Sequence, residues 1–257
     1  MLLYRRVALM AFLLALPFTL NACADLPTNP EQRAEAIAVN DPLEPMNRNI
    51  FAMNDFLDTY LIRPAALSWR FVVPSYVRDR IADALINMGE PVVFANDLLQ
   101  WRLDSAGITL ERFGLNTTVG AAGLWDVATG WGMGVQTGDF GQTLNSWNIK
   151  QGPYLVLPLF GPSNFRDAIG LGIDMAMSPW GYLANMGGTA TYNRYAIASF
   201  GADGLTRREQ NIEPLDALRE GSLDFYAQMR SVYRQYRDKQ LGGASTTSMP
   251  NFDESYP

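Results

Sequence analysis

Apolar residues recur at helical spacing along most of this chain. In "NRNIFAMNDFLDTYL", Ile50, Met53, Leu57 and Tyr60 fall at i, i+3, i+7 and i+10, and Phe51, Phe56 and Leu61 widen the stripe. Asn47, Asn54, Asp55 and Asp58 take other positions, so the segment predicts an amphipathic helix. Asp41, Pro42 and Glu44 read as its N-terminal box, with Asn47 a second candidate cap. Val77, Ile81, Leu85 and Met88 predict a second helix that begins at Ser75 and stops at Gly89. Pro91 then opens another, "PVVFANDLLQW", in which Val93, Phe94, Asp97 and Leu98 lie near one face. A further helix is expected around "SAGITLERFGL". Leu215, Leu218, Phe225, Tyr226, Met229, Tyr233 and Tyr236 mark a helix or helix pair over roughly 213–240, weakest at Gly221. Arg230, Arg234 and Arg237 line one side of it, and a solvated face is the preferred reading. Few runs alternate with period 2, so the chain reads as all-α, a single mostly helical domain.

One stretch departs from this pattern. In "QGPYLVLPLFGPSNFRD", residues 151–167, an apolar core is interrupted by Pro158 and bracketed by Gly152-Pro153 and Gly161-Pro162. Neither a long helix nor a central strand accommodates those residues, which leaves a stiff apolar loop or short hairpin. Two readings stay open for Tyr154, Leu155, Val156, Leu157, Leu159 and Phe160: a buried plug in the helical core, or a surface that faces a membrane. Residues 168–188 come nearest to a spanning segment, but Asp174, Pro179 and several glycines make them a poor lipid-exposed helix.

The N-terminus carries an export signal. Arg5 and Arg6 precede the apolar run "VALMAFLLAL", which has the length of a signal-peptide core and falls well short of a span. It leads into "LNACADL", which resembles the lipobox of bacterial lipoproteins, with Asn21 where a small or hydroxyl residue is usual. Cys23 is the only cysteine in the chain. By that resemblance residues 1–22 are removed and Cys23 becomes the lipidated first residue, with 23–40 a flexible tether. Acyl chains at about 0.8 kcal/mol per buried methylene make such an anchor durable. In many Gram-negative lipoproteins Asp directly after this cysteine retains the protein in the inner membrane; Ala24 stands there, which implies release to the outer membrane. Residues 41–241 form the expected body, and 242–257 read as a disordered tail.

Composition removes most enzyme classes. The whole chain has a net charge of −6, and the signal segment holds two arginines and no carboxylate, so the remainder is more acidic still. Nucleic-acid binding is therefore not expected. With no histidine and one cysteine, Ser-His-Asp and Cys-His catalysis and His or Cys metal sites are excluded, and no metal or cofactor is expected. No G-x-S-x-G, Walker A or G-x-G-x-x-G spacing occurs, and the glycine-rich run at 130–138 reads as a loop.

Seven blocks occur in an order that resembles the MlaA family, also called VacJ lipoproteins: "DPLEPMNRNIFAMNDFLD", "RPAALSWRFVVPSYVRD", "EPVVFANDLLQ", "RFGLNTTVGAAGLWDVA", "DFGQTLNSW", "GPYLVLPLFGPSNFRD" and "DFYAQMRSVYRQYR". They cover most of the chain after the signal. Asn148 departs from the Gly that the family commonly has after the Trp, and "IADALINMGEP" is poorer in aromatics. The resemblance implies a ring- or disc-shaped helical lipoprotein, seated in the inner leaflet of a Gram-negative outer membrane beside trimeric porins, with an amphipathic passage through it. It also implies a task, the removal of mislocalised glycerophospholipids from the outer leaflet and their transfer to a soluble periplasmic carrier of the MlaC kind. Asn47, Arg48, Asn54, Asp55, Arg166 and Asp167 are the candidate polar lining of that passage. A structural lipoprotein that scaffolds porins or the envelope is the alternative, and a carboxylate-dependent hydrolase the least favoured.

Overall fold

The computed structural model describes residues 28–30, 33 and 39–242. The signal segment, Cys23 and most of the tether and tail lie outside the described residues. The chain divides into two compact units, Met1–Phe56 with Gln151–Phe165, and Leu57–Lys150 with Arg166–Pro257.

In the first unit, helix α1 (Glu44–Leu57) accompanies a two-stranded antiparallel hairpin, β1 (Tyr154–Leu157) and β2 (Gly161–Asn164). The register pairs Tyr154 with Asn164 and Leu157 with Gly161. Pro158 thus lies in the three-residue turn, where its missing N–H costs no ladder bond. Leu159 and Gly161 take positive φ of 67° and 80°, the left-handed conformation that such turns need. Helix α1 satisfies the open edge of β1 with two side chains. Asn47 Nδ2 donates to the Tyr154 carbonyl (3.1 Å) and its Oδ1 accepts from Val156 N–H (2.9 Å). Asn54 repeats the device, donating to the Leu157 carbonyl and accepting from Leu159 N–H, both at 2.9 Å. A carboxamide offers one donor edge and one acceptor edge like a peptide group, and a spacing of seven residues puts both on one helix face.

The second unit begins with a π-helical turn, Asp58–Ile62, and α2 (Arg63–Val72). The next helix, α3 (Ser75–Leu99), is continuous, which corrects the expected break at Gly89. Pro91 forfeits one backbone bond and α3 runs on, because its far half packs along α4 (Leu103–Thr118). Short α5 (Val127–Gly130) and α6 (Phe140–Ser146) flank the glycine-rich loop. Then follow α7 (Phe165–Met177), α8 (Pro179–Met186), α9 (Thr189–Gln210), α10 (Ile212–Glu220) and α11 (Phe225–Gln240). The expected C-terminal pair breaks at Gly221, and the Asp224 side chain caps α11 by accepting from Ala227 N–H. Helix α9 packs on α2, α3 and α8. No helix among the described residues is long and apolar enough to cross a membrane.

The interior is polar. Among the described residues nine apolar side chains are buried, four of them alanine, against eighteen polar or charged ones. Large apolar residues lie outside: Phe71 is 91% exposed and Trp101 83%, with Phe56, Tyr60, Leu61, Val72, Trp131, Met186 and Ile197 similarly open. Water-soluble folds have the opposite distribution.

Candidate functional site

In the second unit the buried charges form pairs and small networks. Arg112, wholly buried on α4, donates from Nε to Glu90 Oε1 on α3 (3.0 Å) and from Nη2 to Asp126 Oδ2 (3.1 Å). Its Nη1 reaches Thr129 Oγ1 (3.0 Å) and the Met133 carbonyl (2.5 Å). Burial works against the Arg112 charge, but the bonds to Glu90 and Asp126 outweigh it and raise its pKa. Burial also opposes the Asp126 carboxylate, which nonetheless titrates below its usual range because Thr129, Asn116 and Arg112 donate to it. Glu90 goes the other way: desolvation dominates and lifts it, although Arg112 pulls it down.

A second network ties α11 to α6 and α7. Arg237 donates from Nη1 and Nη2 to Asp139 (2.6 and 2.7 Å), and Asp167 accepts from Arg237 and from the Tyr233 hydroxyl (2.8 Å). Both aspartates lie below the usual carboxylate range: burial resists ionisation, and the Arg237 bonds and charge overcome it. Arg237 is buried, which corrects the solvated-face reading for that arginine. At the junction of α9 and α10, Arg70 and Arg78 converge on Glu209, Arg63 binds Asp216, and Arg208 binds Asp58 at 2.7 Å.

Between α3, α9 and the loop after α5 lies a cavity of about 320 Å³, within the range of small-molecule sites. Its walls differ in character. Helix α3 supplies Leu85, Ile86 and Val93 with Glu90, whereas α9 supplies Asp203, Thr206, Arg207 and Gln210. Gly89 also lines it, and a Cβ built there would meet nothing within 4 Å.

None of the six expected lining residues lines this cavity. Asn47 and Asn54 hold the hairpin, and Arg48 pairs with Glu44 at 2.7 Å. Asp55 is half-buried on α1. Arg166 donates to Asp167 (3.0 Å) and to Asn145 Oδ1 (2.7 Å). The apolar hairpin divides between its two readings: Tyr154 and Val156 are buried, Leu155 and Leu157 half-buried, and Leu159 (56%) and Phe160 exposed at the turn. Sequence reasoning missed Glu90, Arg112 and the α9 wall. One signal was present, since Glu90 directly precedes the apolar run over 91–95.

A sequence model described as MlaA lipoprotein matches residues 39–240. The chain belongs to the MlaA lipoprotein family. The intermembrane phospholipid transport system lipoprotein MlaA of Escherichia coli K12 is 31% identical over 233 residues, covering 89% of this chain and 87% of that one. An uncharacterized Rickettsia felis protein is 32% identical over 206 residues, covering 80% and 79%. A solved structure from work on the structural basis for maintenance of bacterial outer membrane lipid asymmetry superposes with a TM-score of 0.68 at 32% identity, covering 78% of this chain and 98% of its own. The MlaA fold is thus shared; in this chain the described residues form helices and one two-stranded hairpin.

Proposed function

We propose that the protein removes glycerophospholipids that have strayed into the outer leaflet of a Gram-negative outer membrane and passes them to a soluble periplasmic carrier. It acts from the inner leaflet, anchored through acyl chains on Cys23, beside trimeric porins, and breaks no covalent bond. The inverted distribution of polarity carries this reading. An apolar exterior suits immersion in lipid tails, where it costs nothing, and a polar interior offers a charged headgroup a route that hydrocarbon denies it. The two-faced cavity between α3 and α9 fits a molecule with both apolar chains and a charged head, and we assign the passage to it rather than to Asn47, Arg48, Asn54, Asp55, Arg166 and Asp167, none of which lines it. Leu159 and Phe160 at the hairpin turn are the membrane-facing part of the loop. The family relationship supports the same role, since the Escherichia coli relative bears the name of a phospholipid transport lipoprotein.

The test is extraction and hand-over of lipid. Protein purified in a mild detergent should carry phospholipid, and incubation with a purified carrier should move it there. A protein that carries none and delivers none is a scaffold, and the proposal fails.

A further inference from the structure

Glu90 is 2% exposed, lines the cavity, and uses only one carboxylate oxygen within the fold. Oε1 accepts from Arg112, while Oε2 is buried and accepts no hydrogen bond from the protein. The charges around it do not balance. From α4, Arg112 supplies one cation to two carboxylates, Glu90 and Asp126. Asp97, further along α3, is already paired with Arg102. On the facing wall Asp203 and Arg207 pair with each other at 2.7 Å. Arg112, Glu90 and Asp126 together therefore carry one net negative charge, and Glu90, whose Oε2 takes no bond from Arg112, borders a space large enough for a ligand. A buried carboxylate oxygen without a donor is costly, and a cationic N–H group would offset most of that cost.

We propose that Glu90 is a headgroup-selecting residue: it accepts a hydrogen bond from the primary ammonium of a phospholipid such as phosphatidylethanolamine. The inference rests on the transport reading and narrows its substrate. Arg207, exposed on the other wall and held by Asp203, is the cation available to the phosphate of the same headgroup. A quaternary ammonium lacks the N–H to satisfy Oε2, and a glycerol headgroup lacks the charge. The site therefore distinguishes headgroups by a single charge-assisted bond. Burial raises the pKa of Glu90, and Arg112 offsets this only in part.

The full-length protein in non-ionic detergent is titrated with dihexanoyl phosphatidylethanolamine, phosphatidylcholine and phosphatidylglycerol, and with chain-free glycerophosphoethanolamine. The ethanolamine lipid should bind on the order of tenfold more tightly than the other two, the worth of one hydrogen bond to a charged group. In Glu90→Gln its affinity should fall to that of the glycerol lipid. Equal affinities in the unaltered protein overturn the inference and leave the transport reading standing; a preference that survives Glu90→Gln does the same. Glycerophosphoethanolamine binding as tightly as the lipid would make the ligand a soluble amine and remove the headgroup assignment. If no lipid binds, the transport reading falls as well. The comparison within the unaltered protein decides the matter even if the variant fails to fold.

Discussion

Replacing Arg112 with Met removes a wholly buried cation of the second unit and keeps much of its bulk. Four donor contacts vanish, to Glu90, Asp126, Thr129 and the Met133 carbonyl. Two carboxylates then remain without their shared cation. Breaking a buried pair by removing one partner costs about 3–5 kcal/mol, a large part of the roughly 5–15 kcal/mol that holds a typical domain. The loss depends on pH in a definite direction. Burial already lifts the Glu90 pKa, and Arg112 is what restrains it, so the variant raises it further. A carboxyl with a folded pKa above its unfolded value, about 4.3, contributes stability that is present below that value and is lost as pH rises through the folded one. The deficit of Arg112→Met should therefore be larger at pH 8 than at pH 5. Adding Glu90→Gln should recover part of it at pH 8. Denaturant unfolding in detergent, followed by circular dichroism, measures all three. A deficit under about 1 kcal/mol at pH 8, or one that does not change with pH, would refute the view that this arginine neutralises a charged interior.

Gly89→Leu should leave the melting temperature unchanged or slightly raised, because helix propensity improves by up to about 1 kcal/mol and the added Cβ meets nothing. It should nonetheless reduce co-purifying lipid, and undiminished loading would remove the cavity from the passage. Val156→Asp, at a buried strand position, should cost several kcal/mol; Leu159→Asp, at the exposed turn, should keep the fold and weaken binding to phospholipid vesicles, and equal vesicle binding would count against a lipid-facing turn. Arg237→Met should flatten the acid limb of the stability curve. The Asp139 and Asp167 pKa values are held low in the fold, so their contribution is present above the ordinary value of about 3.9 and lost as pH falls through the depressed ones. An unchanged acid limb would show that this network contributes little.

Where apolar and polar residues segregate, the helices were legible. The α1 stripe, α4 and the C-terminal pair broken at Gly221 all follow from spacing, and the Gly-Pro brackets located the hairpin. Helix α9 was hidden because its apolar residues are spread around the axis instead of gathered on one side. Pro91 misled because a proline penalty of about 3 kcal/mol is local, whereas the packing of α3 on α4 is not visible in a single segment. The charged interior was the least legible part. Arg237 lies in register with Arg230 and Arg234, and nothing in the spacing marks it as the one that meets Asp139, which caps α6, and Asp167 of α7. Asp97 among Val93, Phe94 and Leu98 was a hint of the same kind, and the structure buries it completely. Asn148 shows why a departure from the family pattern is tolerated: its φ is +62°, a conformation that asparagine accepts more readily than other residues with a side chain.

A fold with polar groups inside and apolar groups outside changes which force keeps it together. In a water-soluble domain, unfolding exposes apolar area to water, which gives the large positive heat capacity change and the curved dependence of stability on temperature. If the fold sits among lipid tails as proposed, Phe71, Trp101 and Ile197 exchange hydrocarbon for hydrocarbon, and the cooperative loss falls on charge-assisted bonds such as those of Arg112 and Arg237. Heating then acts on electrostatic enthalpy more than on hydration, so the stability curve flattens and cold denaturation recedes. Ionic strength and acidity become the conditions to which the molecule responds most.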